Sequence, residues 1–191
     1  MKRSSIKHRA ILDAAIEVAD RDGYASTTIE AIAAVAGVGK QTIYRWWPSK
    51  SALFIEVYED LVDRRLLTAR TGNLSSELTE LLQNLFRIYR QTPAGRVLVG
   101  LVAEASANAD IRNVLSAGIV AGRAEIVTDL VRKHAPPIVG ELPGIDPEIV
   151  NEVLVALVWK RLAIAPDRLD DEAAAEIAGI ALAAARREGV L

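Results

Sequence analysis

Residues 27–50 read Thr27-Thr28-Ile29-Glu30-Ala31-Ile32-Ala33-Ala34-Val35-Ala36-Gly37-Val38-Gly39-Lys40-Gln41-Thr42-Ile43-Tyr44-Arg45-Trp46-Trp47-Pro48-Ser49-Lys50. The run spells two short helices and a glycine turn. Thr27 followed three residues later by Glu30 has the form of a capping box, which predicts a helix that begins there and ends at Gly37. A second helix is expected from about Lys40 to Trp47, after only Val38 and Gly39, and Pro48 stops it. Ile32, Val35, Ala36, Val38 and Ile43 fall where two such helices bury contact against each other, and Ala33 is small enough for close approach.

The flanks extend the same logic. Upstream, Ile11, Ala14, Ala15 and Val18 form one apolar face of a helix expected from about Ile6 to Asp22, with Gly23 in a left-handed conformation to end it. Downstream, Ser49 is the expected N-cap of a long helix reaching about Ala69. Thr71-Gly72-Asn73 separates it from a fifth helix capped by Ser75 or Ser76, and Thr92-Pro93 opens a sixth. Asp110 is expected to cap a seventh that continues to about His134. Pro136, Pro137, Gly140, Pro143 and Gly144 make a loop. Asp146-Pro147 restarts the chain, Pro166 ends the eighth helix, and Asp170 opens a ninth that frays near Gly189. Apolar residues recur at three and four residue spacing and period-two β-branched runs are absent, so the fold class is all-α with about nine helices.

Three consecutive helices with a tight turn before the third form an arrangement that presents the third to a DNA major groove. Residues 1–48 are therefore expected as a helix-turn-helix DNA-binding domain, and residues 49–191 as a larger helical body. Lys40, Gln41, Tyr44 and Arg45 lie near the start of the third helix on its exposed side. There Gln suits adenine, and Lys or Arg suits guanine. Thr28, Thr42 and Lys50 offer hydroxyl and ammonium groups to phosphate oxygens, and Gly39 and Trp46 complete the candidate DNA-binding set. Trp47 reads instead as a plug of the core.

Charge divides in the same sense. Residues 1–50 carry eight Lys or Arg against five Asp or Glu, whereas the remainder carries 15 against 20, within an overall net charge of −2. An anionic partner prefers the N-terminal part. No uncharged apolar stretch approaches the roughly 20 residues of a membrane span, and the basic N-terminus leads into an amphipathic helix rather than the apolar core of a signal peptide. The chain has no cysteine. Disulfides and thiolate metal sites are thereby excluded, and the pattern suits a cytoplasmic protein.

Residues 27–50 closely resemble the DNA-binding signature of the tetracycline-repressor (TetR) family. The resemblance spans about residues 6–56, including Ile11-Leu12-Asp13-Ala14-Ala15 and the Asp22-Gly23-Tyr24 turn. Two positions depart from the family pattern: Gly39, where Ser or another polar N-cap is usual, and Trp46-Trp47, where many members carry His-Phe. The resemblance implies that residues 49–191 are a helical ligand-binding and dimerisation domain: a homodimer whose last two helices build a four-helix bundle, a ligand cavity in the preceding helices, and release of a palindromic operator when an effector binds. The apolar stripes fit such a bundle: Val150, Val153, Leu154, Leu157 and Val158 with Arg161 on one helix, Ile177, Ile180, Ala181 and Ala184 on the other. Candidate effector contacts are Phe86, Tyr89, Arg96, Leu101, Val102, Glu104 and Trp159, with Arg96 and Arg161 as partners for an acidic effector.

The expected function is a sequence-specific transcriptional regulator, a ligand-responsive repressor whose partners are a double-stranded DNA operator, a second copy of the chain and a small-molecule effector. No cofactor is expected. An activator or a nucleoid-associated protein could carry the same reading head, and a protein-interaction module could retain the dimer alone. A small all-α enzyme fits poorly: there is no Gly-x-Ser-x-Gly elbow, no phosphate-cradling glycine loop, no His-Glu-x-x-His pair and no cysteine nucleophile. His8 and His134 stand far apart without metal-ligating neighbours and read as structural.

Overall fold

The computed structural model of the chain describes residues 2–63, 71–134 and 144–187. Its helices are α1 (Lys2–Ser26), α2 (Ile29–Ala36), α3 (Lys40–Tyr44), α4 (Lys50–Asp63), α5 (Leu74–Gln91), α6 (Ala94–Ala107), α7 (Ala109–Leu115), α8 (Ala121–His134), α9 (Pro147–Ile164) and α10 (Asp171–Ala184). A π-helical segment, Ser116–Val120, joins α7 to α8 without a break, so the run from 109 to 134 is the single seventh helix expected, and nine helices result among the described residues. The all-α class holds, with one small addition. Gly144–Ile145 (β1) pairs antiparallel with Arg186–Arg187 (β2), tying the entrance of α9 to the exit of α10. The end of the fourth helix beyond residue 63, the prolines 136, 137 and 143, and the fraying at Gly189 lie outside the described residues.

Local signals decide most boundaries. Gly37 closes α2 at φ 65°, ψ 34°, the left-handed region that a side chain disfavours, and its N–H returns to the Ala33 and Ala34 carbonyls. Ser49 Oγ accepts from the Ala52 N–H at 3.1 Å, Asp146 from Glu148 at 3.0 Å, and Asp170 from Ala173 at 2.7 Å, so all three expected caps form. Each such cap contributes about 1 kcal/mol. Four others differ. Thr28 rather than Thr27 caps α2, accepting from the Ala31 N–H, while Thr27 is buried and donates its hydroxyl to the Gly23 carbonyl, so the capping box does not form. Asn73 caps α5 in place of the serines after it, and Asn108 caps α7 in place of Asp110, because each amide oxygen sits just outside the first turn and accepts its free N–H groups, that of Ser76 at Asn73 and those of Asp110 and Ile111 at Asn108. Gly23 breaks α1 with positive φ (77°) but extended ψ (158°), and one further turn follows it to Ser26. Helix α3 ends at Tyr44, three residues before Trp47.

The chain separates into two compact units, residues 1–64 with 88–116 and residues 65–87 with 117–191. This division departs from the expected boundary between 48 and 49, because α4 and α6 complete the core that α1–α3 begin. In the first unit Ile11, Ala15 and Val18 of α1, Ile32 of α2, Ile43 of α3, Leu53, Phe54 and Val57 of α4, and Val97 and Leu101 of α6 are wholly buried. Expected core residues Ala36 and Val38 are half-buried, and Val35 is 41% exposed: it falls on the outer face of the one turn beyond the Ile32–Ala33 contact. In the second unit α9 packs on both α8 and α10, with Val150, Leu154, Val158 and Leu162 facing Ala174, Ile177, Ala178 and Ala181.

Candidate nucleic-acid interface

A helix of five residues can bury only one side, and α3 buries Ile43. Trp47, four residues later and 4% exposed, continues that inner side as the expected core plug. Its indole N–H donates to Glu56 of α4 at 2.7 Å, and the other carboxylate oxygen of Glu56 lies 2.9 Å from His8 of α1. The His8 ring packs on both indoles, with centroids 5.5 Å from Trp46 and 4.9 Å from Trp47. His8 is thus structural, and the Trp46-Trp47 departure from the family pattern is accommodated by an aromatic cluster that fixes where α3 ends.

With Ile43 and Trp47 inward, the opposite side of α3 faces out. Lys40, Gln41, Tyr44 and Arg45 are all exposed, Tyr44 by 49%. Thr42 and Trp46 flank them half-buried, and the Arg45 guanidinium lies 5.8 Å over the Trp46 ring. Gly39 precedes the helix in extended conformation with no side-chain cap, and a Cβ there would meet nothing within 4 Å. Thr28 is exposed at the start of α2. Its hydroxyl is already the cap of that helix, so its remaining lone pair and proton are what it has left for a phosphate.

Both lysines of the candidate surface already hold a carboxylate. Lys40 Nζ reaches Glu30 of α2 at 2.8 Å; that hydrogen bond lowers the carboxyl pKa and raises the ammonium's. Lys50, at the start of α4, donates to the Tyr24 carbonyl at 3.1 Å, sits 4.3 Å from the centre of the Tyr24 ring, and lies 3.8 Å from Glu104 of α6. Glu30, Tyr24 and Glu56 escaped the sequence reading as parts of this surface. Only Glu30 left a signal, its place ten residues before Lys40, and that was absorbed by the capping-box reading.

The effector candidates scatter. Phe86 and Leu101 are wholly buried, Tyr89 nearly so, and Val102 and Trp159 are half-buried. The Tyr89 hydroxyl meets that of Tyr58 at 3.0 Å, and burial pushes its pKa up. Arg96 is exposed and bonded to Asp20 of α1 at 2.7 Å, so it clips helices at the surface instead of facing a cavity. Arg161 is bonded to Glu176 at 2.6 Å. An open cleft of about 410 Å³ between α1 and α4, lined in part by His8, Arg9, Glu56 and Asp60, takes none of these candidates. Arg123 of α8 was not singled out by the sequence, yet burial pulls its guanidinium pKa down to about 10.

The expected dimer stripes are corrected. Val150, Leu154, Val158, Ile177 and Ala181 point into the protomer's own core, and Val153, Leu157 and Arg161 are half-buried. Only Ile180 (44%) and Ala184 are exposed. Helices this apolar carry two faces, and the more regular stripe was consumed by packing of α9 on α8 and α10. The exposed apolar and small residues are Val155, Ala156 and Ile164 on α9, and Ala175, Gly179, Ile180 and Ala183 on α10.

Comparison with known proteins agrees with this geometry. Residues 11–57 match the family described as bacterial regulatory proteins, tetR family, and residues 68–181 match the tetracyclin repressor-like C-terminal domain. The chain is 26% identical to the HTH-type transcriptional regulator YdeS of Bacillus subtilis (strain 168) across 86% of its own length and 82% of that protein's. Over 59 residues, 31% of this chain and 28% of the relative, it is 41% identical to the HTH-type transcriptional regulator RutR of Escherichia coli (strain K12). The crystal structure of the TetR family transcription regulator SCO0332 superposes with a TM-score of 0.75 at 28% identity, covering 97% of this chain and 98% of that one. Among the described residues no helix is long and apolar enough to cross a membrane. With a family match over well more than half its length and a reading head whose polar side is free of the core, the chain belongs to the TetR family of helix-turn-helix transcriptional regulators, which bind DNA and are not enzymes.

Proposed function

We propose that the chain is an effector-responsive repressor that acts in the cytoplasm as a homodimer on a near-palindromic operator. The observation that carries this is the exposed side of α3, where Lys40, Gln41, Tyr44 and Arg45 stand together while Ile43 and Trp47 hold the helix to the core. Gln41 and Arg45 are the base-reading side chains of this proposal, Lys40 and Tyr44 reach either base edges or phosphate, and Thr28, Thr42 and Lys50 grip the backbone, with Gly39 and Trp46 against it. The outward face of α9 and α10 supports dimer formation: Ala156, Ala175, Gly179 and Ala183 let a partner's helices approach closely, while Val155 and Ile180 supply the apolar area. Two recognition helices related by twofold symmetry then enter successive major grooves about 34–36 Å apart.

Sequencing the genomic fragments retained by the purified protein tests the proposal. A shared inverted repeat with half-sites about one helical turn apart is the expected result, and transcription of the adjoining genes should rise when the chain is deleted. Retention without any common sequence would point to a nucleoid-associated role, and a fall in transcription on deletion to an activator.

A further inference from the structure

Glu104 of α6 is the meeting point of three elements. Its Oε2 accepts from the Tyr24 hydroxyl at 2.8 Å and from Ser51 Oγ at 2.6 Å, and its Oε1 lies 3.8 Å from Lys50 Nζ. Tyr24 is in the last turn of α1, and Lys50 and Ser51 open α4. Gly100, one turn before Glu104 on the same face of α6, leaves room for the Tyr24 ring to pack against the helix on its way to the carboxylate. The Lys50 side chain is 22% exposed, directed toward Glu104, the Tyr24 carbonyl and the Tyr24 ring. A lysine that is to grip a phosphate has to present its ammonium outward, and this ammonium is turned inward onto an anion.

We propose that Glu104 is a positioning residue that competes with DNA phosphate for Lys50, so that the carboxylate of α6 restrains the affinity of the reading head. The inference rests on Lys50 as a phosphate contact. An ammonium has three donors; one is committed to the Tyr24 carbonyl, and the ion pair with Glu104 holds the group on the α6 side. When a phosphate approaches, Lys50 leaves the carboxylate or shares it, and in either case the negative charge of Glu104 opposes a second anion in its neighbourhood. The competition is reciprocal: a displacement of α6 that draws Glu104 away from Lys50 strengthens DNA binding by the same factor by which bound DNA favours that displacement. Glu30 and Lys40 repeat the pairing on the exposed surface, where solvent screening makes it weaker.

The variant Glu104→Gln isolates the charge. Both hydroxyls converge on Oε2, so the amide oxygen can take their hydrogen bonds, while the amide NH2 faces Lys50 and offers it no acceptor. Binding of a random-sequence DNA duplex, followed by fluorescence anisotropy across a series of salt concentrations, is the measurement. Glu104→Gln should bind about two- to fivefold tighter at low salt and steepen the log–log salt slope by about 0.9. Lys50→Ala should weaken binding and flatten the slope, and adding Glu104→Gln to Lys50→Ala should gain less than the same change gains in the unaltered protein, because only the direct repulsion between carboxylate and phosphate is then removed. Unchanged or weaker binding by Glu104→Gln, with Lys50→Ala still impaired, overturns the competition and leaves Lys50 as a phosphate contact. A Lys50→Ala variant that binds normally overturns the phosphate contact and the competition together, and an equal gain from Glu104→Gln in the Lys50→Ala background overturns the role of Lys50. Should Glu104→Gln fail to fold, the unaltered protein answers the same question through the lysine ammonium resonances, assigned with Lys50→Arg: the Lys50 signal should move on saturation with the duplex, and a signal that stays in place overturns the inference.

Discussion

The ring of Tyr24 lies against Gly100 so closely that a Cβ at residue 100 would stand 2.1 Å from Tyr24 Cδ1. Tyr24 is 4% exposed and its edge meets the Phe54 ring at 5.1 Å, so the ring has little room to withdraw. Gly100→Ala should therefore destabilise the protein by about 1–3 kcal/mol, the usual range for overpacking a core. Thermal unfolding measures the loss, and a melt superposable on that of the unaltered protein would show that the ring moves freely.

Lys40 and Gln41 are neighbours on α3 with different expected roles. Lys40→Ala should weaken binding to every duplex and reduce the magnitude of the salt slope by about 1, because one counterion-releasing contact is lost. Gln41→Ala should leave random-sequence binding intact and lower operator affinity by about 1–3 kcal/mol, relaxing preference at one base pair. Titrations of both duplex types with both variants separate the effects. If Gln41→Ala lost affinity equally on the two duplexes, base readout by Gln41 would be wrong.

Ile177 and Ile180 lie one turn apart on α10 yet differ in burial, 0% and 44% exposed. Placing a charge at the outward position, Ile180→Asp, should weaken the dimer by tenfold or more, on the order of what an unpaired charge costs in an apolar interface, while the protomer keeps its helicity. Ile177→Ala should instead lower the unfolding free energy by about 2–5 kcal/mol. Analytical ultracentrifugation and circular dichroism read the two outcomes, and an Ile180→Asp protein that remains fully dimeric would place the interface elsewhere.

Glu77, at the first turn of α5, is 1% exposed and accepts from His134 and Lys133 at 2.9 Å and from the Gly72 N–H at 2.9 Å. These partners, His134 foremost, hold its pKa down from 4.5 to about 2. A depressed carboxyl pKa means that Glu77 stabilises the fold fully above about pH 4.5 and that this contribution is lost as pH falls toward about 2. Glu77→Gln should lower the Tm at neutral pH and flatten the decline of Tm with acid over that window. A Glu77→Gln protein whose Tm falls with acid as steeply as the unaltered one would remove Glu77 from the account.

Much of the reading head was legible before any coordinates. Gly37, Ser49, Asp146 and Asp170 act where the chain places them because caps and left-handed turns depend on a few neighbouring atoms. The outward side of α3 was equally legible, since Ile43 and Trp47 leave that side no other place. The caps of α2, α5 and α7 were misplaced by one to three residues for a related reason: Thr27 with Thr28, Asn73 with Ser75, and Asn108 with Asp110 offer competing oxygens, and only the path of the preceding chain selects one.

Local chemistry determined the all-α class, the order of the helices and which side chains α3 leaves exposed, because each of these depends on periodicities and caps within a few residues. Tertiary packing decided the rest. Which apolar face of α9 turns inward depends on α8 and α10, and whether Lys50 meets solvent or Glu104 depends on a helix more than fifty residues away. A sequence lists both groups, but the distance between them exists only after the chain has folded.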